Sequence, residues 1–309
     1  MTCITKPAPL FPTAEGSPRS SGTRALRTHY DTLEITIDEA ARTHWCHMRP
    51  YGRPCFTAEL LRDCAEVHRS LRTMFELDAP VQYHVLASRT AGVFNLGGDL
   101  VHFAESIRAG NRAALRRYGE ACIRIAYDNY IACDLPMITI ALIQGDALGG
   151  GFESALAHDL IVAERHAKFG LPEILFNLFP GMGATSFLNR KIGPVAAERL
   201  IMSGRLYTAE ELHAMGVVDV LAEDGEGEVA VRRLIAEQGR KHNAHLAIYR
   251  ARRRANPVTY AELSDIVDIW IDAALGVSEH DLRKMQRLAM AQDRRVQALP
   301  PQAYGLAAE

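Results

Sequence analysis

Two short segments of the sequence combine glycines with a glutamate. Residues 144–153 read QGDALGGGFE after an apolar, β-branched run, and residues 170–173 read GLPE. Glycines between a buried strand and a helix let the backbone approach a ligand and present free N–H groups, and the helix N-terminus adds partial positive charge. The pattern is typical of an oxyanion hole, with Glu153 and Glu173 as candidate proton donors or acceptors.

A second glycine loop precedes these segments. Residues 94–100 read FNLGGDL after a predicted strand, and they offer another amide, since an oxyanion hole commonly uses two. Each loop alone is more typical of a structural turn, because neither has the glycine spacing of a phosphate-binding motif. Their occurrence together with two acidic residues favours a catalytic site.

Composition argues against several other kinds of site. Thirty-five Lys and Arg against 37 Asp and Glu leave a net charge of −2, so no overall attraction to nucleic acid or anionic lipid is expected. The twelve His and six Cys show no metal-ligand spacing, and no metal site is expected. No histidine is identifiable as a partner for Cys55, which is therefore predicted to be an inert thiol. No stretch has the length and apolarity of a membrane span.

The elements that must position these residues alternate between strand and helix, which predicts an α/β fold with parallel strands. Thr57 is a candidate N-cap for the first helix. The predicted strands are 33–37 and 43–48, paired as a hairpin, then 81–88, 137–143 and 160–163. The predicted helices between them are 58–76, 111–133 and 151–158.

From residue 195 onward the pattern predicts helices almost throughout, interrupted by a strand-like run at 216–221. Apolar stripes in residues 261–291 indicate either an oligomer surface or a helix folded onto its own domain. We therefore divide the chain into a Pro- and Ser-rich extension (1–26), a catalytic core (27–220) and a C-terminal helical subdomain (221–309). The extension has no apolar segment of the signal-peptide kind, so a cytoplasmic location with reduced cysteines is expected.

The motifs together resemble the crotonase, or enoyl-CoA hydratase, superfamily. Gly98 and Gly150 fall where that family has its two oxyanion amides, and Glu153 and Glu173 fall where its hydratases have their acid/base pair. The resemblance runs from about residue 33 to the C-terminus. It implies a crotonase-like spiral of ββα units with a C-terminal helical subdomain covering the substrate pocket. It also implies a homotrimer or dimer of trimers, and an acyl thioester as substrate without a further cofactor.

Four segments resemble more narrowly the diffusible signal factor synthases, which make cis-2-unsaturated fatty acids for bacterial quorum sensing. These segments are residues 52–56, 93–100, 145–153 and 175–184. The resemblance implies a bifunctional dehydratase and thioesterase that converts a 3-hydroxyacyl carrier protein to the free acid. Glu173 would take the α-proton, Glu153 would handle the hydroxyl, and a glutamate-activated water would cleave the thioester. Asp146 departs from the Asn expected there, a difference that concerns the substrate preference more than the reaction class.

Two other functions stay open at this point. A conventional enoyl-CoA hydratase or isomerase would act on coenzyme A thioesters, whereas a non-catalytic scaffold of the same fold would bind a signalling protein or RNA. The scaffold has no physical need for two glutamates and two glycine loops, so the enzyme is favoured. A regulatory protein partner is left open.

An acyl chain requires an apolar tunnel near the glutamates. Leu148 and Met182 lie on the loops beside them, and Trp270 is the only tryptophan of the C-terminal helices, so these three are the candidate substrate-binding residues. Ordinary core packing is the alternative for each. The basic run at 250–254 indicates either a contact with the carrier's phosphate or an acidic carrier protein, or a solvated helix face.

Overall fold

The computed structural model describes residues 29–78 and 81–297, so the predicted extension at 1–26 lies outside the described residues. The strands are β1 (Leu33–Asp38), β2 (Thr43–Met48), β3 (Tyr83–Ser88), β4 (Gly92–Asn95), β5 (Ile138–Ile143), β6 (Gly145–Leu148), β7 (Leu160–Glu164), β8 (Lys168–Gly170), β9 (Leu206–Thr208) and β10 (Val220–Ala222). The helices are α1 (Ala58–Glu76), α2 (Leu100–Arg108), α3 (Arg112–Tyr130), α4 (Gly150–Leu156), α5 (Ala184–Ile192), α6 (Pro194–Ser203), α7 (Ala209–Ala214), α8 (Gly227–Gly239), α9 (His242–Ala255), α10 (Tyr260–Leu275) and α11 (Glu279–Gln297). Short 3-10 helices occupy Ala132–Asp134 and Pro172–Phe176.

The strands form two sheets. The larger sheet has the order β1-β2-β3-β5-β7-β10, and the smaller has the order β4-β6-β8-β9. The pairs β3 and β4, β5 and β6, and β7 and β8 each place one strand in each sheet before the chain continues into a helix. This repeat is the spiral of ββα units of the crotonase fold, and it confirms the predicted fold class.

The pairing of the strands in the larger sheet includes the predicted hairpin. Strands β1 and β2 pair antiparallel, whereas β2, β3, β5, β7 and β10 pair parallel. The six residues of β5 are all buried, as expected of a parallel strand covered on both faces. Helix α1 begins and ends where the sequence predicts, and the Thr57 side chain accepts a hydrogen bond from the Leu60 N–H as its N-cap.

The C-terminal helices pack on the helices and strands of the core. Helix α10 packs on α3, and α11 packs on α2 and on the 3-10 helix Pro172–Phe176. The basic run at 250–254 lies in α9. It was expected to contact a carrier or to form a solvated face, but two of its arginines bind a buried side chain of the core. Arg252 and Arg253 both donate hydrogen bonds to the buried Asp159 carboxylate, at 3.0 Å and 2.5 Å.

Several elements differ from the sequence expectation. Helix α2 and strand β9 were not predicted, and β6 forms where a loop was expected. Strands β6, β8 and β9 have three or four residues, too few for a period-2 pattern to be recognised in the sequence. Among the described helices, none is long and apolar enough to cross a membrane. The boundaries of the three proposed domains stay a prediction.

Candidate active site

Glu153 lies in the first turn of α4, on the strand-to-helix connection that leaves β6. Its side chain is buried, and Oε1 accepts hydrogen bonds from the backbone N–H groups of Met182 (2.8 Å) and Ala184 (3.0 Å). Met182 lies in the loop that leads into α5, and Ala184 is the first residue of α5. Glu153 is therefore held from two sides, by its own helix and by this loop.

Glu173 reaches the same region from the 3-10 helix that follows β8. Its Oε2 is buried without a hydrogen-bond partner among the described residues. A Cβ on Gly149 would lie 2.6 Å from Glu173 Oε1, and Gly149 has a φ of +50° that L side chains rarely adopt. The absence of a side chain at Gly149 is what lets the Glu173 carboxyl group lie against the start of α4.

Burial dominates the electrostatics of both glutamates. Loss of solvation raises the pKa of Glu153, while the two backbone N–H donors act in the opposite direction. Loss of solvation also raises the pKa of Glu173, and the neighbouring Glu153 charge raises it further. Two coupled carboxyl groups of this kind retain a shared proton near neutral pH.

The two glycine loops meet directly beside the glutamates. The N atom of Gly98 lies 3.4 Å from the position of a Cβ on Gly150, and a Cβ on Gly97 would lie 2.9 Å from the Gly150 N atom. Gly150 is the first residue of α4, where backbone N–H groups have no partner within the helix. The two loops therefore place the Gly98 and Gly150 amides close together, and their use as an oxyanion hole stays a prediction.

One cavity contains both glutamates and both oxyanion candidates. Met182 and Trp270, two of the three predicted substrate-binding residues, also line it. Its free space is about 60 Å³, enough for a few water molecules and far below the several hundred Å³ of a typical ligand pocket. Side chains along the cavity must therefore move before it can hold a ligand larger than a few water molecules.

Leu148 is not among the residues that line this cavity. Its side chain packs with Val93 and Leu96 in a small separate cluster. Leu148 ends strand β6, and Leu96, one of the two residues it packs with, does line the cavity. Leu148 therefore lies next to a cavity-lining residue, and its substrate-binding role stays a prediction.

Other cavity residues could not be recognised from the sequence. Phe56, Phe103 and Tyr118 line one wall, and Leu288 of α11 lines another. The Tyr118 hydroxyl donates to the Phe56 carbonyl and accepts from the Asp99 N–H, which ties the first glycine loop to the chain before α1. Tyr118 and Leu288 are far from the motifs along the chain, and their apolar spacing is that of any core helix.

Two further expectations concern reactive side chains and metals. Burial raises the pKa of Cys55 to about 12, which keeps it a thiol at neutral pH. Glu164, His166 and Asp224 lie close enough together to hold a metal ion, a cluster that sequence spacing does not reveal. Glu164 accepts hydrogen bonds from the Gly225 and Gly227 N–H groups, and Asp224 accepts one from the His166 N–H. The cluster therefore has a structural explanation without an ion.

A sequence model of the enoyl-CoA hydratase/isomerase family matches residues 48–262, the part of the chain that contains both glutamates and both glycine loops. The chain belongs to this family. The match supports the superfamily resemblance, while the narrower resemblance to the signal synthases receives no separate support.

Named relatives agree with this membership. Rat mitochondrial methylglutaconyl-CoA hydratase is 36% identical over 190 residues, covering 60% of this chain and 56% of that protein. The human mitochondrial enoyl-CoA hydratase domain-containing protein 2 is 35% identical over 179 residues, covering 58% of this chain and 56% of that protein. The chain thus spans about half the length of these relatives. The structure of a Bacillus halodurans enoyl-CoA hydratase superposes with a TM-score of 0.69 at 20% identity, covering 84% of this chain and all of that one, which shows the fold.

Proposed function

We propose that this chain catalyses the reversible hydration of 2-enoyl thioesters, as a conventional enoyl-CoA hydratase. The observation that carries the proposal is the unequal environment of the two glutamates. Backbone N–H groups stabilise the Glu153 anion, whereas Glu173 Oε2 is buried and has no hydrogen-bond partner in the part of the chain that the structure describes. A single shared proton therefore favours Glu173, which leaves Glu153 as a base and Glu173 as an acid.

This protonation state fits the addition of water. Glu153 removes a proton from a water molecule whose oxygen attacks the β-carbon of the enoyl thioester. The electron pair of the double bond moves to the thioester oxygen, where the Gly98 and Gly150 N–H groups donate hydrogen bonds, each worth roughly 2.7–4 kcal/mol in comparable sites. Glu173 then gives its proton to the α-carbon, and the reverse sequence is dehydration.

The substrate class follows from the cavity lining. Apart from the glutamates and backbone amides, the cavity is bounded mainly by aliphatic and aromatic side chains, among them Phe103, Leu178 and Trp270. Such a lining suits a hydrocarbon chain. Apart from the two glutamates, its described side chains are uncharged and would not pair with a charged acyl group. Relatives named as hydratases of coenzyme A thioesters agree with coenzyme A as the carrier.

Product analysis tests this proposal. The purified chain is incubated with trans-2-enoyl-CoA esters of increasing length, and the products are identified by mass spectrometry. Appearance of the 3-hydroxyacyl-CoA, with loss of turnover in Glu153→Gln and Glu173→Gln, is expected. Absence of turnover on every thioester would contradict the proposal and leave the non-catalytic scaffold.

A second candidate function rests on the four segments that resemble the diffusible signal factor synthases. Here a 3-hydroxyacyl carrier protein loses water, and a glutamate-activated water then hydrolyses the thioester to a free cis-2-unsaturated acid. Incubation with a 3-hydroxydodecanoyl carrier-protein thioester separates the two candidates. Free cis-2-enoic acid would favour the synthase, whereas an intact enoyl thioester would favour the hydratase. The homotrimer, the cytoplasmic location and a regulatory partner remain predictions.

A further inference from the structure

The first glycine loop is paired with the chain segment that precedes α1. A parallel β-bridge joins Gly98 to Phe56, and in it the Phe56 N–H donates to the Gly97 carbonyl at 2.8 Å. The Leu96 N–H donates in the same way to the Pro54 carbonyl, also at 2.8 Å. Residues 54–56 therefore hold the backbone of the loop along one side.

This pairing sets the direction of the Gly98 N–H. The Gly97–Gly98 peptide bond is trans, so its N–H points away from the carbonyl that Phe56 binds. The Gly98 N–H has no acceptor in the part of the chain that the structure describes, and Gly98 lines the cavity that contains the two glutamates. The direction of this free donor depends on the geometry of the bridge.

The hydroxyl of Tyr118 completes the bridge. It accepts a hydrogen bond from the Asp99 N–H at 3.1 Å and donates one to the Phe56 carbonyl. In an uninterrupted parallel pair, a residue bonds through its N–H and its C=O to the two residues that flank its partner. Here the Tyr118 oxygen lies between the second pair of groups. The separation of Asp99 from Phe56, and with it the position of Gly98, therefore depends on one side-chain oxygen.

Tyr118 is itself held firmly in place. Its side chain is buried, and its ring packs edge-on against Phe103 with the ring centroids 4.9 Å apart. The Phe103 ring also lies against Gly98, since a Cβ there would be 2.6 Å from a ring carbon. Burial raises the pKa of Tyr118 well above its ordinary value, so the hydroxyl keeps its proton at neutral pH and remains a donor.

We propose that Tyr118 is a positioning residue for the oxyanion hole, and that its hydroxyl keeps the Gly98 N–H beside the Gly150 N–H by acting through Phe56 and Asp99. This inference rests on the proposed hydration of thioesters. Without the hydroxyl, the Asp99 N–H and the Phe56 carbonyl move together and pair directly. The Gly98 N–H is then displaced from the place where it would meet the thioester oxygen.

The kinetic test compares Tyr118→Phe with Tyr130→Phe. Tyr130 ends the same helix, and its hydroxyl also donates to a backbone carbonyl, that of Asn256 at 2.6 Å, outside the cavity lining. With a trans-2-enoyl-CoA, Tyr118→Phe is expected to lower kcat about 10- to 100-fold, less than the loss of a whole oxyanion donor, and to leave KM nearly unchanged. Tyr130→Phe should keep both constants. Equal losses of kcat in the two variants, or a change in KM alone, would overturn the proposal.

A spectroscopic measurement reports on the oxyanion hole without turnover. In para-dimethylaminocinnamoyl-CoA, light moves electron density from the amino nitrogen toward the thioester oxygen, so hydrogen bonds to that oxygen shift the absorption band to longer wavelength. The wild type and Tyr130→Phe should shift the band equally, and Tyr118→Phe should shift it about half as far, because one of two donors is displaced. A full shift in Tyr118→Phe would overturn the proposal. No shift with the wild type would instead contradict thioester binding, and with it the proposed function.

A rescue variant separates the hydrogen bond from the packing of the ring. Tyr118→para-aminophenylalanine keeps the ring and restores an N–H donor for the Phe56 carbonyl, but its nitrogen is a poor acceptor for the Asp99 N–H. The band shift is expected to lie between those of Tyr118→Phe and the wild type. A shift no larger than that of Tyr118→Phe would overturn the proposal, because the ring packs alike in both variants.

Discussion

At the scale of single residues, the buried Glu153 and the partly buried Glu173 make the stability of the fold depend on pH. A carboxyl group whose pKa is higher in the folded chain than in the unfolded chain binds more protons when folded, so the free energy of unfolding falls as pH rises. Burial raises the pKa of Glu153 to about 7 and that of Glu173 to about 8. The stabilisation is therefore complete below pH 4.5 and is lost progressively up to about pH 8.

The double variant Glu153→Gln, Glu173→Gln removes this dependence. At pH 8 it should be more stable than the wild type by roughly 2 kcal/mol, because it buries no carboxylate, and the difference should shrink toward pH 5. Urea unfolding at the two pH values measures it. A difference that is constant with pH would mean that the glutamates titrate normally in the folded chain.

Cavity residues that lie within continuous motifs could be predicted from the sequence. Cavity residues that reach the site only through tertiary packing could not. Gly98, Gly150, Glu153 and Glu173 belong to two glycine loops and a short GLPE segment, whose local chemistry is readable without a structure. Tyr118 and Leu288 reach the cavity only because α3 and α11 pack there. Leu148 was expected at the cavity because of its position in the chain, but it packs with Val93 and Leu96, contacts that only folding creates.

At the scale of the elements, the start of α4 depends on Gly149. Gly149→Ala would force a Cβ against the Glu173 carboxyl group at a positive φ, displacing that group from the site. We expect the hydration rate to fall by about 100-fold or more, since a displacement near 1 Å has that effect.

The control for Gly149→Ala is Gly216→Ala. Gly216 has a φ of +78° with no atom within 4 Å of an added Cβ, so it carries the backbone strain without the contact. It should lose stability and keep its turnover rate. Equal loss of turnover in both variants would show that backbone strain alone, and not displacement of Glu173, explains the effect.

Elements with a long, regular pattern were predictable, and short ones were not. The 19 residues of α1 have a clear helical periodicity, and the fully buried β5 is a continuous apolar, β-branched run. The four-residue β6 was read as a loop because its glycine and aspartate are typical of turns. It is a strand because β4 and β8 flank it in the small sheet, a tertiary pairing that local sequence does not encode.

At the scale of the whole molecule, a buried ion pair joins the C-terminal helices to the core. Asp159 is buried next to β7, and Arg253 of α9 donates to both of its carboxylate oxygens, at 3.2 Å and 2.5 Å. Arg253→Met would leave the carboxylate with Arg252 and Thr139 as its remaining donors. The expected loss of stability is about 2 to 4 kcal/mol, since removing one partner of a buried pair leaves a poorly compensated charge.

Urea unfolding compares this variant with Arg254→Met, which changes an exposed arginine one residue along the same helix. The control should stay within about 0.5 kcal/mol of the wild type. Similar effects of the two substitutions would mean that the arginine run acts through its overall charge.

The central claim is that Glu153 and Glu173 act as one unit in adding water to an enoyl thioester. Steady-state hydration of one trans-2-enoyl-CoA by the wild type, Glu153→Gln, Glu173→Gln and the double variant tests it most directly. The account predicts that each single variant loses nearly all activity and that the double variant loses little more, because groups that act together are not additive. Single variants with modest losses that multiply in the double variant would contradict it.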